Sequence, residues 1–151
     1  MITSDSMLKK NRSAPDTAVM PVLYYPDVGE AVEWLTTALP FTVRLRNSET
    51  RCQLLHSNGA IVVAKPGMHA DAAPSTQQSP AAHSITLRVT AIDELFLRAK
   101  AAGAGVLAEP EDHMFGERQC SFLDPWEHPW TLSETIFDSD PADWGGELLV
   151  E

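Results

Sequence analysis

Residues 22–39 read VLYYPDVGEAVEWLTTAL, and residues 86–103 read TLRVTAIDELFLRAKAAG, a second copy of the same pattern 64 positions further along the chain. In both stretches a short apolar run leads through a turn into a segment whose apolar residues recur every three or four positions. This pattern is typical of a strand followed by an amphipathic helix. Each predicted helix ends at a helix-breaking residue, Pro40 in the first copy and Gly103 in the second. The self-similarity indicates an internal duplication, and the duplication decides the fold.

Three strand-like segments follow each predicted helix. They are FTVRLR (41–46), RCQLLH (51–56) and AIVVAK (60–65) in the first copy, and GVLA (105–108), RQCSFL (118–123) and WTLSE (130–134) in the second. The Ser-Asn-Gly sequence at 57–59 predicts a tight hairpin, because Asn-Gly tolerates the positive φ that such turns require. The sequence therefore predicts an α+β fold in which two βαβββ modules form curled mixed sheets around a cavity, with the helices outside.

Composition divides the chain into five predicted segments. They are a flexible N-terminal tail (1–18), a first module (19–66), a linker (67–82), a second module (83–137) and an acidic C-terminal tail (138–151). The linker is rich in Ala, Pro, Ser and Gln, which favours an irregular connection. The C-terminal tail carries five acids and no base, a composition typical of a solvated segment. Its Trp144 leaves open one possible function, that of an interaction module that docks on a partner through the tail.

Charge and hydropathy exclude several classes of partner. The formal net charge of −10 argues against nucleic acid, whose phosphates require a basic surface. No apolar run approaches the roughly 20 residues of a membrane-spanning helix, and the N-terminus lacks a secretory signal, so a cytoplasmic protein is expected. Cys52 and Cys120 are too few for a disulfide framework, and we expect both to be buried thiols in strands.

Alternation along the predicted strands assigns side chains to the two faces of each sheet. Apolar residues such as Leu87 and Phe122 belong to the helix side, and polar residues belong to the cavity side. The predicted cavity face includes Thr86, Arg88, Ser121, Thr131 and Ser133 in the second copy, and Tyr24 in the first. The strand of Thr42, Arg44 and Arg46 is short enough that alternation leaves either face open for these three residues. We expect Arg88 either to pair with Glu117 or another acid, or to receive an anionic or carbonyl group of a ligand.

Two motifs in the second copy carry a family resemblance. Residues 115–118 read FGER and residues 124–130 read DPWEHPW. With the paired βαβββ pattern, they resemble the vicinal oxygen chelate superfamily, which includes glyoxalase I, extradiol dioxygenases, and the bleomycin and fosfomycin resistance proteins. Within it the chain looks most like the PhnB-like branch. Glu127 stands where that family usually has glycine.

The resemblance also implies where a divalent metal would bind. Members of the superfamily that do chemistry hold it with His and Glu side chains on the first and last strand of each copy. Carried over, those positions are Met20, about Ala64, Ser84 and Thr131, and none of them is a good ligand. His83 is one residue from its expected place, which puts it on the opposite face of the strand. We therefore predict neither a metal nor another cofactor.

The resulting prediction is a metal-independent homodimer that binds a small organic molecule without turnover, as bleomycin-resistance-type proteins do. The predicted ligand-binding residues are Tyr24, Thr86, Arg88, Phe115, Glu117, Ser121 and Thr131. His113 and Glu117, in a predicted loop at 111–117 over the cavity mouth, are candidates for an acid/base pair. Asp124, Trp126, His128 and Trp130 are interpreted as structural. The alternative is a metal-dependent lyase, isomerase or dioxygenase with a rearranged set such as His83, His113, Glu117 and His128.

Overall fold

A computed structural model describes residues 8–67 and 83–150 of the chain. The chain divides into two compact units, residues 1–78 and 79–151. Each unit contains one helix and a four-stranded sheet in the order βαβββ. Neither sheet closes on itself. The predicted α+β class and the internal duplication are therefore confirmed.

The first unit begins with a strand and a helix. Its elements are β1 (Val22–Tyr24), α1 (Val28–Ala38), β2 (Thr42–Asn47), β3 (Arg51–His56) and β4 (Gly59–Ala64). The sheet has the order β1-β4-β3-β2, with β1 parallel to β4 and the other pairs antiparallel. The Asp27 side chain caps α1 by accepting a hydrogen bond from the Glu30 amide at 3.0 Å. The helix then buries Ala31 and Leu35 completely.

The second unit repeats this arrangement. Its elements are β5 (Ile85–Arg88), α2 (Ile92–Ala101), β6 (Gly105–His113), β7 (Glu117–Leu123) and β8 (Pro129–Thr135), followed by a short 3-10 helix at Pro141–Trp144. The sheet order is β5-β8-β7-β6, again with the outer β5 parallel to its neighbour β8. The two units therefore share their topology strand for strand.

The two faces of the second sheet differ in polarity as the alternation predicts. On the α2 side, Phe122, Trp130 and Leu132 are fully buried. The opposite face, which we call the polar face, carries hydroxyl, amide and charged side chains from three neighbouring strands. They are Thr86 and Arg88 on β5, Thr131, Ser133 and Thr135 on β8, and Glu117, Gln119 and Ser121 on β7. The predicted assignment of Cys120 to the α2 side is also confirmed, since this thiol is buried.

Two details of the sequence prediction are wrong, and the structure decides one that the sequence leaves open. The hairpin between β3 and β4 exists, but its positive φ falls on Ser57 (53°) rather than on the Asn-Gly pair, because Ser57 and Asn58 form the two-residue loop. Arg46 lies on the α1 side rather than the cavity side. A β-bulge between Val43 and Leu45 adds one residue to β2 and so reverses the faces of the residues that follow.

The second error concerns the predicted loop at 111–117. Most of it is strand, since β6 continues to His113 and only residues 114–116 form the turn into β7. The acidic residues at 109–112 do not indicate a strand in the sequence. They are tolerated because β6 is an edge strand whose side chains are exposed to water. Arg118 also neutralises Asp112 and Asp93 through ion pairs of 2.9 and 3.0 Å.

The predicted tails make more contacts than expected. In the N-terminal tail, the carbonyl of Arg12 accepts a hydrogen bond from Arg44, and that of Ser13 accepts one from Gln53. The predicted linker lies, except for Gly67, outside the described residues, and the segment boundaries as such stay predictions. No helix within residues 8–67 and 83–150 is both long and apolar enough to cross a bilayer.

Candidate functional site

The second unit contains a pocket of about 550 Å³ against the polar face of its sheet. Three strands, the turn between β6 and β7, and the segment after β8 form its walls. The lining residues are Thr86, Arg88, Phe115, Gly116, Glu117, Ser133, Thr135, Phe137, Asp138 and Ser139. Four of the seven predicted ligand-binding residues are therefore together in one pocket: Thr86, Arg88, Phe115 and Glu117.

Opposite charges meet within this pocket. The Arg88 guanidinium donates a 2.9 Å hydrogen bond to the Thr135 hydroxyl, and its charge acts on the nearby Glu117 carboxyl. Glu117 Oε1 accepts hydrogen bonds from Ser133 Oγ and from Gln119 Nε2. The bond from Ser133 is the main cause that lowers the pKa of Glu117, with smaller contributions from Gln119, Arg88 and His113 against the opposing effect of burial. Glu117 is therefore ionised at neutral pH and acts as an acceptor rather than as a proton donor.

The two catalytic candidates lie side by side. His113 and Glu117 are paired residues on β6 and β7, and the His113 imidazole stacks on the Phe115 ring with centroids 5.0 Å apart. Phe115 in turn contacts Trp144 edge to face at 5.9 Å. The geometry brings this pair together at the pocket rim and joins it to an aromatic cluster that includes the C-terminal tail.

Gly116 brings the segment after β8 against the β6–β7 turn. Its φ of +86° is one that L side chains rarely adopt, and a Cβ there would meet the Phe137 carbonyl oxygen at 2.3 Å. The Gly116 carbonyl accepts hydrogen bonds from the amides of Ile136 (2.8 Å) and Phe137 (3.5 Å). Glycine is thus required here for both conformation and space.

Asp124 organises the turn that holds β7 and β8 in register. Its Oδ1 accepts from the amides of Trp126 and His128 at 3.0 Å, and its Oδ2 accepts from the Trp130 indole at 3.1 Å. Asp124 and His128 are both buried. Glu127, in the same turn, has a positive φ of 69°. The structural interpretation of Asp124 and Trp130 is confirmed, and the DPWEHPW motif supports the sheet that carries the pocket.

Three predicted residues lie away from the pocket lining. Ser121 and Thr131 share a hydrogen bond of 3.0 Å on the polar face. Tyr24 belongs to the other unit, on β1, where it is buried. Ser133 lies on the predicted cavity face and lines the pocket, although it is not among the predicted ligand-binding residues. Thr135 was missed, although the same two-residue alternation leads to it. Asp138 and Ser139 were missed because the composition of residues 138–151 indicates a solvated tail, and Phe137 was missed because no sequence signal shows the contact of this segment with Gly116.

Two arginines of the first unit, Arg44 and Arg46, have local partners or surroundings of their own. Arg44 bonds to Gln53 Oε1 at 2.6 Å and to the Arg12 carbonyl. Arg46 lines a separate cleft of about 580 Å³ beside α1, and lies close enough to Cys52 to oppose the rise that burial causes in the pKa of that thiol. Burial also raises the pKa of Cys120, to about 11. Both thiols are protonated at neutral pH, which makes them poor nucleophiles and metal ligands.

The residues at the superfamily's metal positions do not fit a metal. Ser84 and Thr131 lack carboxylate or imidazole groups. The rearranged set is split, with the His83 ring 6.1 Å from that of His128 and His113 beside Glu117 on other strands. Within residues 8–67 and 83–150, no three or more His, Cys, Asp or Glu side chains are placed to hold an ion.

Solved structures with the same fold come from several bacteria. TioX from Micromonospora sp. ML1 is 24% identical with a TM-score of 0.67, over 80% of this chain and 99% of its own. A glyoxalase/bleomycin resistance protein/dioxygenase family enzyme from Burkholderia phytofirmans PsJN is 17% identical with a TM-score of 0.68, over 78% and 97%. The fosfomycin resistance protein FosX from Listeria monocytogenes is 16% identical with a TM-score of 0.62, over 78% and 92%. At these identities the likeness shows the fold.

Sequence comparison adds relatives and a family. Uncharacterized proteins from Mycobacterium bovis and Mycobacterium tuberculosis are 40% identical over 53 residues, which are 35% of this chain. The match spans only about a third of those relatives, 35% and 31% of their lengths. A sequence profile described as the Glyoxalase/Bleomycin resistance protein/Dioxygenase superfamily matches residues 17–132. With the duplicated βαβββ topology, this match shows that the chain belongs to that superfamily.

Proposed function

We propose that this protein binds a small polar organic molecule on the polar face of its second sheet, without a metal of the superfamily type. The observation that carries the proposal is the pocket of about 550 Å³ in which Arg88 and Glu117 stand near a row of hydroxyl groups and the Phe115 ring. Its size and its mixture of an aromatic ring with a few polar groups are typical of small-molecule sites.

The charges in the pocket favour an uncharged polar ligand. Arg88 supplies hydrogen-bond donors, and the ionised Glu117 supplies acceptors. Since the two charges act on each other, a net anion meets the repulsion of Glu117 as well as the attraction of Arg88. A ligand with an acceptor beside a donor, as in a primary amide, can satisfy both groups. An attached ring would then contact Phe115.

Three further properties belong to the same proposal. The FGER and DPWEHPW motifs support the PhnB-like branch of the superfamily. A homodimer is supported by the resemblance to bleomycin-resistance-type proteins, and size-exclusion chromatography with light scattering would check it by giving twice the chain mass. We also propose a cytoplasmic protein, which is supported by two cysteines, Cys52 and Cys120, that form no disulfide.

Three probes of nearly equal shape test the ligand class. Benzamide offers a donor and an acceptor, acetophenone only an acceptor, and benzoate an acceptor with negative charge. At about −0.3 kcal/mol per non-hydrogen atom, a nine-atom probe binds with a Kd of about 10 mM, within reach of ligand-observed NMR. We expect benzamide to bind more tightly than the other two.

Arg88→Ala and a matched surface control assign the site. We expect Arg88→Ala to weaken benzamide binding about tenfold, because one charge-assisted hydrogen bond is lost. Lys100→Ala, on the exposed surface of α2, should leave binding unchanged. Equal affinity of wild type and Arg88→Ala, or a preference for benzoate, would contradict the proposed site or the ligand class. Stoichiometric metal in the purified protein, lost in His113→Ala, would contradict the metal-independent proposal.

A further inference from the structure

We infer that the segment of residues 136–145, called the wall segment below, is a working wall of the ligand pocket, and that Trp144 is the positioning residue that holds it there. The inference rests on the proposed function of the same pocket. The family match ends at residue 132, so the wall segment lies beyond the part of the chain that the family describes.

Backbone contacts fix the start of the wall segment. The amides of Ile136 and Phe137 donate to the Gly116 carbonyl, and the missing Cβ of Gly116 leaves room for the Phe137 carbonyl. Ser139 Oγ donates a longer hydrogen bond of 3.4 Å to the Met114 carbonyl. These contacts place three consecutive residues, Phe137, Asp138 and Ser139, in the pocket lining.

The end of the wall segment is anchored separately. Asp140 caps the 3-10 helix Pro141–Trp144 by accepting from the Ala142 amide at 3.0 Å. This turn brings the Trp144 ring against Phe115, which also stacks on His113. After it the chain departs, and Leu149 is 81% exposed. The anchored part therefore ends near Gly146, whose amide donates to the Pro141 carbonyl at 2.7 Å, and residues 147–150 are exposed.

Together these contacts make the wall segment part of the site rather than a loose tail. Phe115 is both a lining residue of the pocket and the residue that Trp144 contacts. Loss of the Trp144 ring therefore releases the far end of the segment and frees Phe115 to leave the position in which it meets a ligand. An ordered wall lowers the entropy lost on binding, because its residues are already in place.

Two truncations separate the anchored part from the exposed end. A chain that ends at Ser139 keeps the three lining residues but loses the anchor, whereas a chain that ends at Gly146 keeps both and loses only residues 147–151. We expect the first truncation and Trp144→Ala to weaken benzamide binding about three- to tenfold, the size of one aromatic contact. The second truncation and Leu149→Ala should bind as wild type does, and Trp144→Phe should restore most of the affinity.

A measurement without ligand checks the positioning role. Hydrogen exchange at the Ile136 and Phe137 amides should become faster in Trp144→Ala and stay slow in Leu149→Ala, because only the former releases the segment. Unchanged exchange overturns the role of Trp144. Tighter benzamide binding after truncation at Ser139 overturns the inference too, because the segment would then occlude the pocket. If wild type binds none of the three probes, the proposed function itself is wrong, and the ligand role of the wall falls with it.

Discussion

At the residue scale, Glu127 has an unfavourable backbone conformation. Its φ is +69°, a region in which a side chain costs about 1–2 kcal/mol because Cβ approaches the backbone. The flanking contacts of Asp124 with Trp126 and His128 hold the turn in this conformation. The turn thus carries strain that its hydrogen bonds offset.

We predict that Glu127→Gly is more stable than Glu127→Ala by about 1 kcal/mol in urea unfolding. Both variants remove the carboxylate, so the difference between their free energies of unfolding reports the strain that Cβ causes. The additional entropy of glycine in the unfolded chain reduces this difference. The expected sign is stabilising, because the residue already lies in the region that glycine adopts freely. Equal stability of the two variants would show that the turn relaxes around the side chain.

At the scale of elements, the two helices differ in how far the sequence reveals their start. Asp27 lies three residues before Glu30, a spacing that indicates a helix N-terminus, and the structure has that cap. At α2, Ala91 provides no side-chain cap, and the Ile92 amide instead donates to Glu134 Oε1 at 2.9 Å. Glu134 lies 42 residues later, on β8. Periodicity predicts that α2 exists, but only tertiary packing shows what caps it.

Because Glu134 caps α2 from another strand, we predict that changing its side chain destabilises the protein. We expect Glu134→Ala to lower the free energy of unfolding by about 1 kcal/mol, similar to Asp27→Ala in the other unit. Glu134→Gln should lose less, because the amide oxygen can still accept from Ile92. Guanidinium chloride unfolding of wild type, Glu134→Ala, Glu134→Gln and Asp27→Ala measures these free energies. A loss in Glu134→Gln as large as in Glu134→Ala would instead point to the charge of Glu134, which also favours the α2 N-terminus.

At the scale of the whole molecule, sequence periodicity predicts the repeated elements of the fold, but it does not predict single irregularities such as a β-bulge or a contact made possible by one glycine. The duplication, the order of helix and strands along each module and the polarity of the second sheet follow from spacing alone. The bulge that turns Arg46 away adds one residue to β2, and one residue is enough to reverse a face. Asp138 and Ser139 line the pocket although the composition of residues 138–151 indicates a solvated tail, since the contact of this segment with the β6–β7 turn depends on space left by Gly116.

The pH dependence of stability connects the pocket to the whole molecule. The folded-state pKa of Glu117 is lowered mainly by the hydrogen bond from Ser133, and further by Gln119 and by the charges of Arg88 and His113. The Glu117 carboxylate therefore binds a proton less readily in the folded protein than in the unfolded chain. Its stabilisation is therefore fully present above the unfolded pKa of about 4.3 and is lost as pH falls through the lower folded value. We predict that the stability difference between wild type and Glu117→Gln is largest near pH 7 and shrinks below about pH 5. Urea unfolding followed by tryptophan fluorescence measures it, with Glu94→Gln, exposed on α2, as the control. A difference that stays constant from pH 7 to pH 3 would mean that Glu117 acts through its shape alone, and the charge complementarity proposed for the ligand would lose its basis.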